Sequence, residues 1–207
     1  MTEKVSVLKT EHYLTFVLFI LHTVGIVGLT SPYKDLFLSL TPLNLLISTG
    51  IVIWWQRIYP KAFVPVLIFI YLLGFFIEVL GVNTGLIFGE YSYDRGLGFQ
   101  LWGTPLMIGV NWLMLVLASA AAARRVPTNN YLQALIAALL MVLLDLLIEP
   151  VSSKLEFWTW KDNLIPKQNY YAWFVVAYIM QSVYFHFRLD VPNKVGQNLF
   201  LILIYFF

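Results

Sequence analysis

The chain has 207 residues, 60% of them hydrophobic and 12% charged, with a net charge of +2 and no cysteine; its mean hydropathy is +0.78. Such a composition is more apolar than a soluble domain can solvate, so the chain reads as one polytopic transmembrane domain over 1–207. The missing cysteine excludes a disulfide framework, a thiolate metal site and a Cys nucleophile, and the small net charge argues against nucleic acid as a partner.

Apolar windows of about twenty residues, the length that crosses a bilayer, fall at 13–29, 37–55, 63–82, 104–123, 131–150 and 170–187. A further run begins near Asn198 and is short. The predicted fold class is therefore all-α: a polytopic membrane helix bundle of six full spans and a partial seventh. The first run follows a short polar start and lacks a small-residue cleavage site behind it, so it is expected to be retained rather than removed as a signal peptide.

Counting loops alternately, Lys4, Lys9, Arg57, Lys61, Arg124, Arg125, Arg188 and Lys194 share one side, and Lys34, Arg95, Lys154, Lys161 and Lys167 the other. The more basic side is expected to be cytoplasmic, which places the N-terminus there. The lack of a transit segment suits a bacterial or archaeal cytoplasmic membrane.

Glu78, in the third span, and Asp145, in the fifth, sit in the most apolar stretches, with Glu149 one turn after Asp145. A carboxylate deep in a bilayer costs roughly 2.5 to 3.5 kcal/mol on insertion scales, so it is rare without a partner or a job. Asp145 and Glu149 are four apart and share a helix face. Two like charges so close repel, which favours a retained proton on the pair or shared hydrogen-bond donors. Pro150 is expected to end that span. The third and fifth spans run the same way, so the three acids lie toward two long loops, 83–103 and 151–169.

In the first long loop, Gly81, Gly85 and Gly89 recur at every fourth position. That spacing suits helix packing or a segment that re-enters the membrane beside Glu78 with its backbone buried in protein. Thr104-Pro105 would then open the fourth span, with proline in the first turn. His22, Asn44, Asn111, Gln181 and His186 either line a cavity with the acids or bond between helices. Trp158, Trp160, Tyr170 and Trp173 suit an interfacial aromatic belt as well as the shielding of a cation by ring faces. No Gly-rich phosphate loop, His-Glu-x-x-His or paired-aspartate diphosphate motif is present. No metal site or cofactor is expected, and acid catalysis on an apolar, membrane-dissolved molecule remains.

The ordered series Glu78-x-x-Gly81-x-x-Thr84-Gly85-x-x-Phe88-Gly89-x-Tyr91-x-Tyr93, Leu97-Gly98, Gly103-x-Pro105, Asn111-Trp112, Asp145-x-x-x-Glu149-Pro150, Trp158-x-Trp160 and Asn169-Tyr170-x-x-Trp173 resembles the integral-membrane carotenoid biosynthesis family. That family includes the carotenoid 1,2-hydratases of CruF type and the archaeal bisanhydrobacterioruberin hydratases. The chain departs from the pattern at Glu149, Glu156-Phe157 and Ala172.

The resemblance implies hydration of the terminal C1–C2 double bond of an acyclic carotene end group, of lycopene or gamma-carotene type, without a cofactor. A carboxyl protonates C-2, and water captures the tertiary cation at C-1. On this reading Asp145 donates the proton and Glu78 positions or deprotonates water, or the two exchange these roles, and Glu149 completes the catalytic acids. Asn111, Tyr91 and Tyr93 hold water, and Trp158, Trp160 and Trp173 line the end-group pocket together with Thr84 and Trp112. The alternatives are a membrane lycopene cyclase, which quenches the same cation with an internal double bond, and a non-enzymatic carotenoid or proton carrier or scaffold. The expected partners are the carotenoid substrate, the lipid bilayer and other carotenoid-pathway enzymes.

Overall fold

The computed structural model describes residues 2–126 and 128–207; the side chains of 2–6, including Lys4, lie outside the description. Among the described residues seven α-helices follow one another: α1 (Thr2–Leu29), α2 (Lys34–Trp54), α3 (Phe63–Thr84), α4 (Met107–Ala123), α5 (Asn130–Ser152), α6 (Lys167–His186) and α7 (Lys194–Phe206). Between α3 and α4 lie β1 (Tyr91–Tyr93), β2 (Gln100–Leu101) and β3 (Thr104–Pro105), and between α5 and α6 lies β4 (Trp158–Trp160).

Among the described residues, four helical segments are long and apolar enough to cross a membrane: Val7–Leu29, Lys34–Trp54, Phe63–Thr84 and Asn130–Ser152. Helices α4 and α7 are apolar but shorter, and the polar start Lys167-Gln168-Asn169 dilutes α6. The expected count of six full spans is thus met by length and composition in four.

Hydrophobic residues cover more than the inner faces. On α3, Val64, Ile68, Leu72, Phe76 and Leu80 recur every fourth residue and are all exposed, while Val66, Ile70, Gly74 and Glu78 face inward. A helix apolar on both faces belongs in lipid on its outer side. Helix α4 is the hub, packed against α2, α3, α5, α6 and α7. It is buried along nearly its whole length, and its run from Ala118 to Ala123 lets neighbouring backbones approach closely.

Polar groups sort into two ends, as the alternate counting of loops requires. At one end Arg124 pairs with Asp190 at 2.6 Å, Lys194 with Glu11 at 3.8 Å, and Arg125 Nε donates to Gln197 at 3.0 Å. At the other, Glu156 accepts from Lys34 at 2.8 Å and Arg95 Nε at 2.5 Å, Arg95 also reaches Asp35 at 2.6 Å, and Lys161 pairs with Glu90 at 2.6 Å. Hydrogen bonds to Arg95 and then Lys34 hold the Glu156 carboxyl down to about 2.

Two boundaries differ from expectation. Thr104-Pro105 does not open the fourth helix; it forms β3, paired with β2 across Trp102-Gly103. Both turn residues have positive φ, 53° and 74°, the geometry that matches the twist of a two-residue hairpin. Pro150 does not end the fifth helix, which continues to Ser152. Glu149 is therefore held inside α5.

Candidate active site

Glu78 faces inward two turns before the end of α3. Gly85 stops that helix in the left-handed conformation, φ 67°, which glycine adopts without a Cβ clash. The chain then folds back, burying Phe88 and leading into β1. The segment expected to re-enter the membrane is this returning stretch, extended rather than helical.

Strand β1 pairs antiparallel with β4, Tyr91 opposite Trp160 and Tyr93 opposite Trp158. Alternate residues of a strand share a face, so four aromatic side chains with polar tips stand together. Tyr91 and Tyr93 donate to Glu78 Oε2 at 2.5 and 2.8 Å. Trp160 and Trp158 donate to Glu149 Oε2 at 2.6 and 3.2 Å.

The remaining donors come from helices. Trp112 Nε1 of α4 reaches Glu78 Oε1 at 2.9 Å. Its approach depends on Gly74, one turn before Glu78, where a Cβ would lie 2.7 Å from the Trp112 Cβ. Asn169 Nδ2 of α6 donates to Glu149 Oε1 and to Asp145 Oδ2, both at 3.0 Å. Asp145 Oδ1 is buried with no partner. Glu78 and Glu149 thus each accept three hydrogen bonds from neutral donors. Burial, then the Glu78 charge, pushes the Tyr91 and Tyr93 phenols up from their ordinary range, so both remain O–H donors.

Glu78, Glu149, Asn169, Tyr91, Tyr93, Trp158, Trp160 and Trp173 enclose a cavity of about 10 Å³ with Phe88 and Ile108, room for roughly one water. Trp112 stacks on Trp173 with centroids 4.1 Å apart, and Tyr91 lies 5.0 Å from Trp160. Asp145 is fully buried behind this cavity and meets it through Asn169.

A second cavity, about 210 Å³, lies among α1, α2, α4 and α7 and shares Trp158 as a wall. Asn111 lines this larger space, together with His22 and Asn44, instead of joining the acids. Thr84 is also outside the acid cavity: its hydroxyl donates to Leu80 O at 2.5 Å and accepts from Leu86 N at 3.2 Å, finishing α3. Gln181 bonds between helices, to Val116 O and Ser119 Oγ at 3.2 and 2.8 Å, and His186 is exposed. Asn169 was missing from the expected site residues, although its place one helical turn before Trp173 puts both on one face.

A sequence profile described as carotenoid biosynthesis protein matches residues 40–207. The chain belongs to that family. It is also similar to the bisanhydrobacterioruberin hydratase of Haloarcula japonica, 31% identical over 110 residues. That match covers 47% of this chain and 36% of the relative, so the chain spans about a third of the curated hydratase's length. No solved structure matches. All three acids, Asn169 and the aromatic walls lie inside the region that matches the family.

Proposed function

We propose that the chain is a carotenoid 1,2-hydratase that adds water to the terminal double bond of an acyclic end group. The observation that carries this reading is the single-water cavity between two hydrogen-bonded carboxyl groups and a wall of indole and phenol rings. A cyclase must keep water from its cation, whereas this space is water-sized and polar on two sides. Similarity to a hydratase supports the same choice.

Helices α4, α6 and α7 join the four long apolar segments in the membrane, α7 as a partial span, with the N-terminus cytoplasmic. Helix α4 is 17 residues long, within the roughly 17 to 25 that span a bilayer.

The Asp145–Glu149 pair shares a proton, because like charges one turn apart and bridged by one amide oppose double ionisation. Glu149 lines the cavity and delivers that proton to C-2 of the end group. The C-1 cation that forms is stabilised by the faces of Trp158, Trp160 and Trp173. Glu78, fixed by Tyr91, Tyr93 and Trp112, orients the water that attacks C-1 and takes its proton. Return of that proton across the water site to the Asp145–Glu149 pair resets the acids. The sum is alkene plus water giving a tertiary alcohol, and no electrons are transferred to a cofactor. Donation thus moves from Asp145, as the sequence suggested, to its partner on the cavity wall.

Expression in cells that accumulate lycopene or gamma-carotene, with mass spectrometry of the pigments, tests the reading. A gain of one water as a tertiary hydroxyl supports it. An isomer of unchanged mass would identify a cyclase, and untouched pigment would favour a carrier.

A further inference from the structure

The larger cavity takes no part in the proton chemistry, yet it ends at Trp158, whose indole also closes the acid cavity. Its opposite side is formed by Val24 of α1 and Leu40, Leu43 and Ile47 of α2. These four residues are also 37 to 51% exposed on the outer surface. A side chain that lines a cavity and is exposed outside marks a mouth. This mouth lies on apolar faces of two helices long enough to cross a membrane, so it opens to lipid.

We infer that this cavity is a lateral chamber for the polyene arm next to the reacting end, open to the bilayer between α1 and α2. The end group passes along Trp158 to reach Glu149 and Glu78. This rests on the hydratase reading for the identity of the occupant. Three features fit that occupant. The wall is almost wholly apolar, as a hydrocarbon chain requires. The chamber adjoins the acid cavity across one shared ring, Trp158. The route also spares a water-insoluble molecule any passage through the ion-paired loops, where Glu156, Arg95, Asp35 and Lys34 knit α2 to both long loops.

The test uses the full chain in lipid nanodiscs loaded with lycopene. A photo-crosslinking benzoylphenylalanine replaces Leu43 at the mouth or, as a control, Ile68, equally outward on α3 and away from the chamber. Pigment adducts at position 43 in clear excess over position 68 are expected, in the Glu149→Gln background as well as in the unaltered chain. Equal adducts at both positions would overturn the chamber, since lipid contact alone would explain them. In parallel, Leu43→Trp should lower turnover at limiting lycopene at least tenfold and Ile68→Trp should leave it unchanged; unaltered turnover in Leu43→Trp would also overturn it. Adducts confined to position 43 with neither lycopene nor gamma-carotene hydrated would retain the chamber and remove the hydratase reading.

Discussion

The two cavities share the Trp158 ring and differ in almost everything else. The small one is walled by Glu78 and Glu149, whose four oxygens all accept hydrogen bonds from indole, phenol or amide, with Asp145 behind it. The large one is mostly apolar, and Asn111 is one of the few polar side chains on its wall. On the hydratase reading, order is concentrated where charge would change during the reaction, because preorganised donors stabilise developing charge without reorganising, and space is left where the proposed uncharged chain has only to fit.

That contrast predicts a division between rate and binding. Glu149→Gln, which keeps shape and loses a transferable proton, should lower kcat by about 10³-fold with little change in pigment binding, and Glu78→Gln should do the same; near-normal kcat in either would remove that acid from the mechanism. Trp158→Leu touches both cavities and is expected to lower kcat about tenfold through lost cation stabilisation while also raising KM, and steady-state kinetics separate the two losses. Asn169→Leu removes the amide shared by Asp145 and Glu149 and should cost about tenfold in kcat, with a displaced limb of the pH–rate profile; a changed rate at unchanged profile would make Asn169 a packing residue. Asn111→Leu should leave kcat near normal and bind hydrocarbon pigment at least as well, since it removes an amide from a mostly apolar wall. A fall in kcat would instead restore the water-holding role suggested by the sequence.

The smallest effect lies at the loop ends. Glu156 is held below the ordinary carboxylate range by Arg95 and Lys34, so its contribution to stability is complete above the unfolded value near 4.5 and fades as pH falls toward about 2. Thermal unfolding of Glu156→Gln should therefore differ from the unaltered chain at neutral pH and converge with it in strong acid.

Much of this was legible in the sequence. The apolar periods gave the helices, and alternate loop counting sorted the basic residues into the two groups whose ion pairs the structure joins. The cost of burying Glu78, Asp145 and Glu149 singled out the three acids, and the structure does bury them together. What escaped was set by contacts between distant segments. The pairing of β1 with β4 joins residues more than sixty positions apart, and no local pattern announces three-residue strands. Asn111 follows the same logic: its neighbour Trp112 reaches Glu78, and one step around the helix sends Asn111 to the other cavity. Pro150 misled because tertiary packing carries α5 past it.

The ribbon of β1 and β4 also makes the site vulnerable in a particular way. Its four aromatic donors serve two carboxylates on different helices, and all four depend on one register, in which a single-residue slip turns every side chain to the opposite face. Inserting one residue just before Trp158 would strip Glu149 of both indoles and separate the wall around Glu78 in one event, while each helix kept its own sequence. A change of loop length is therefore expected to cost more than a single substitution in these loops. An inactive protein of normal helix content and normal membrane insertion is the outcome to expect from such an insertion.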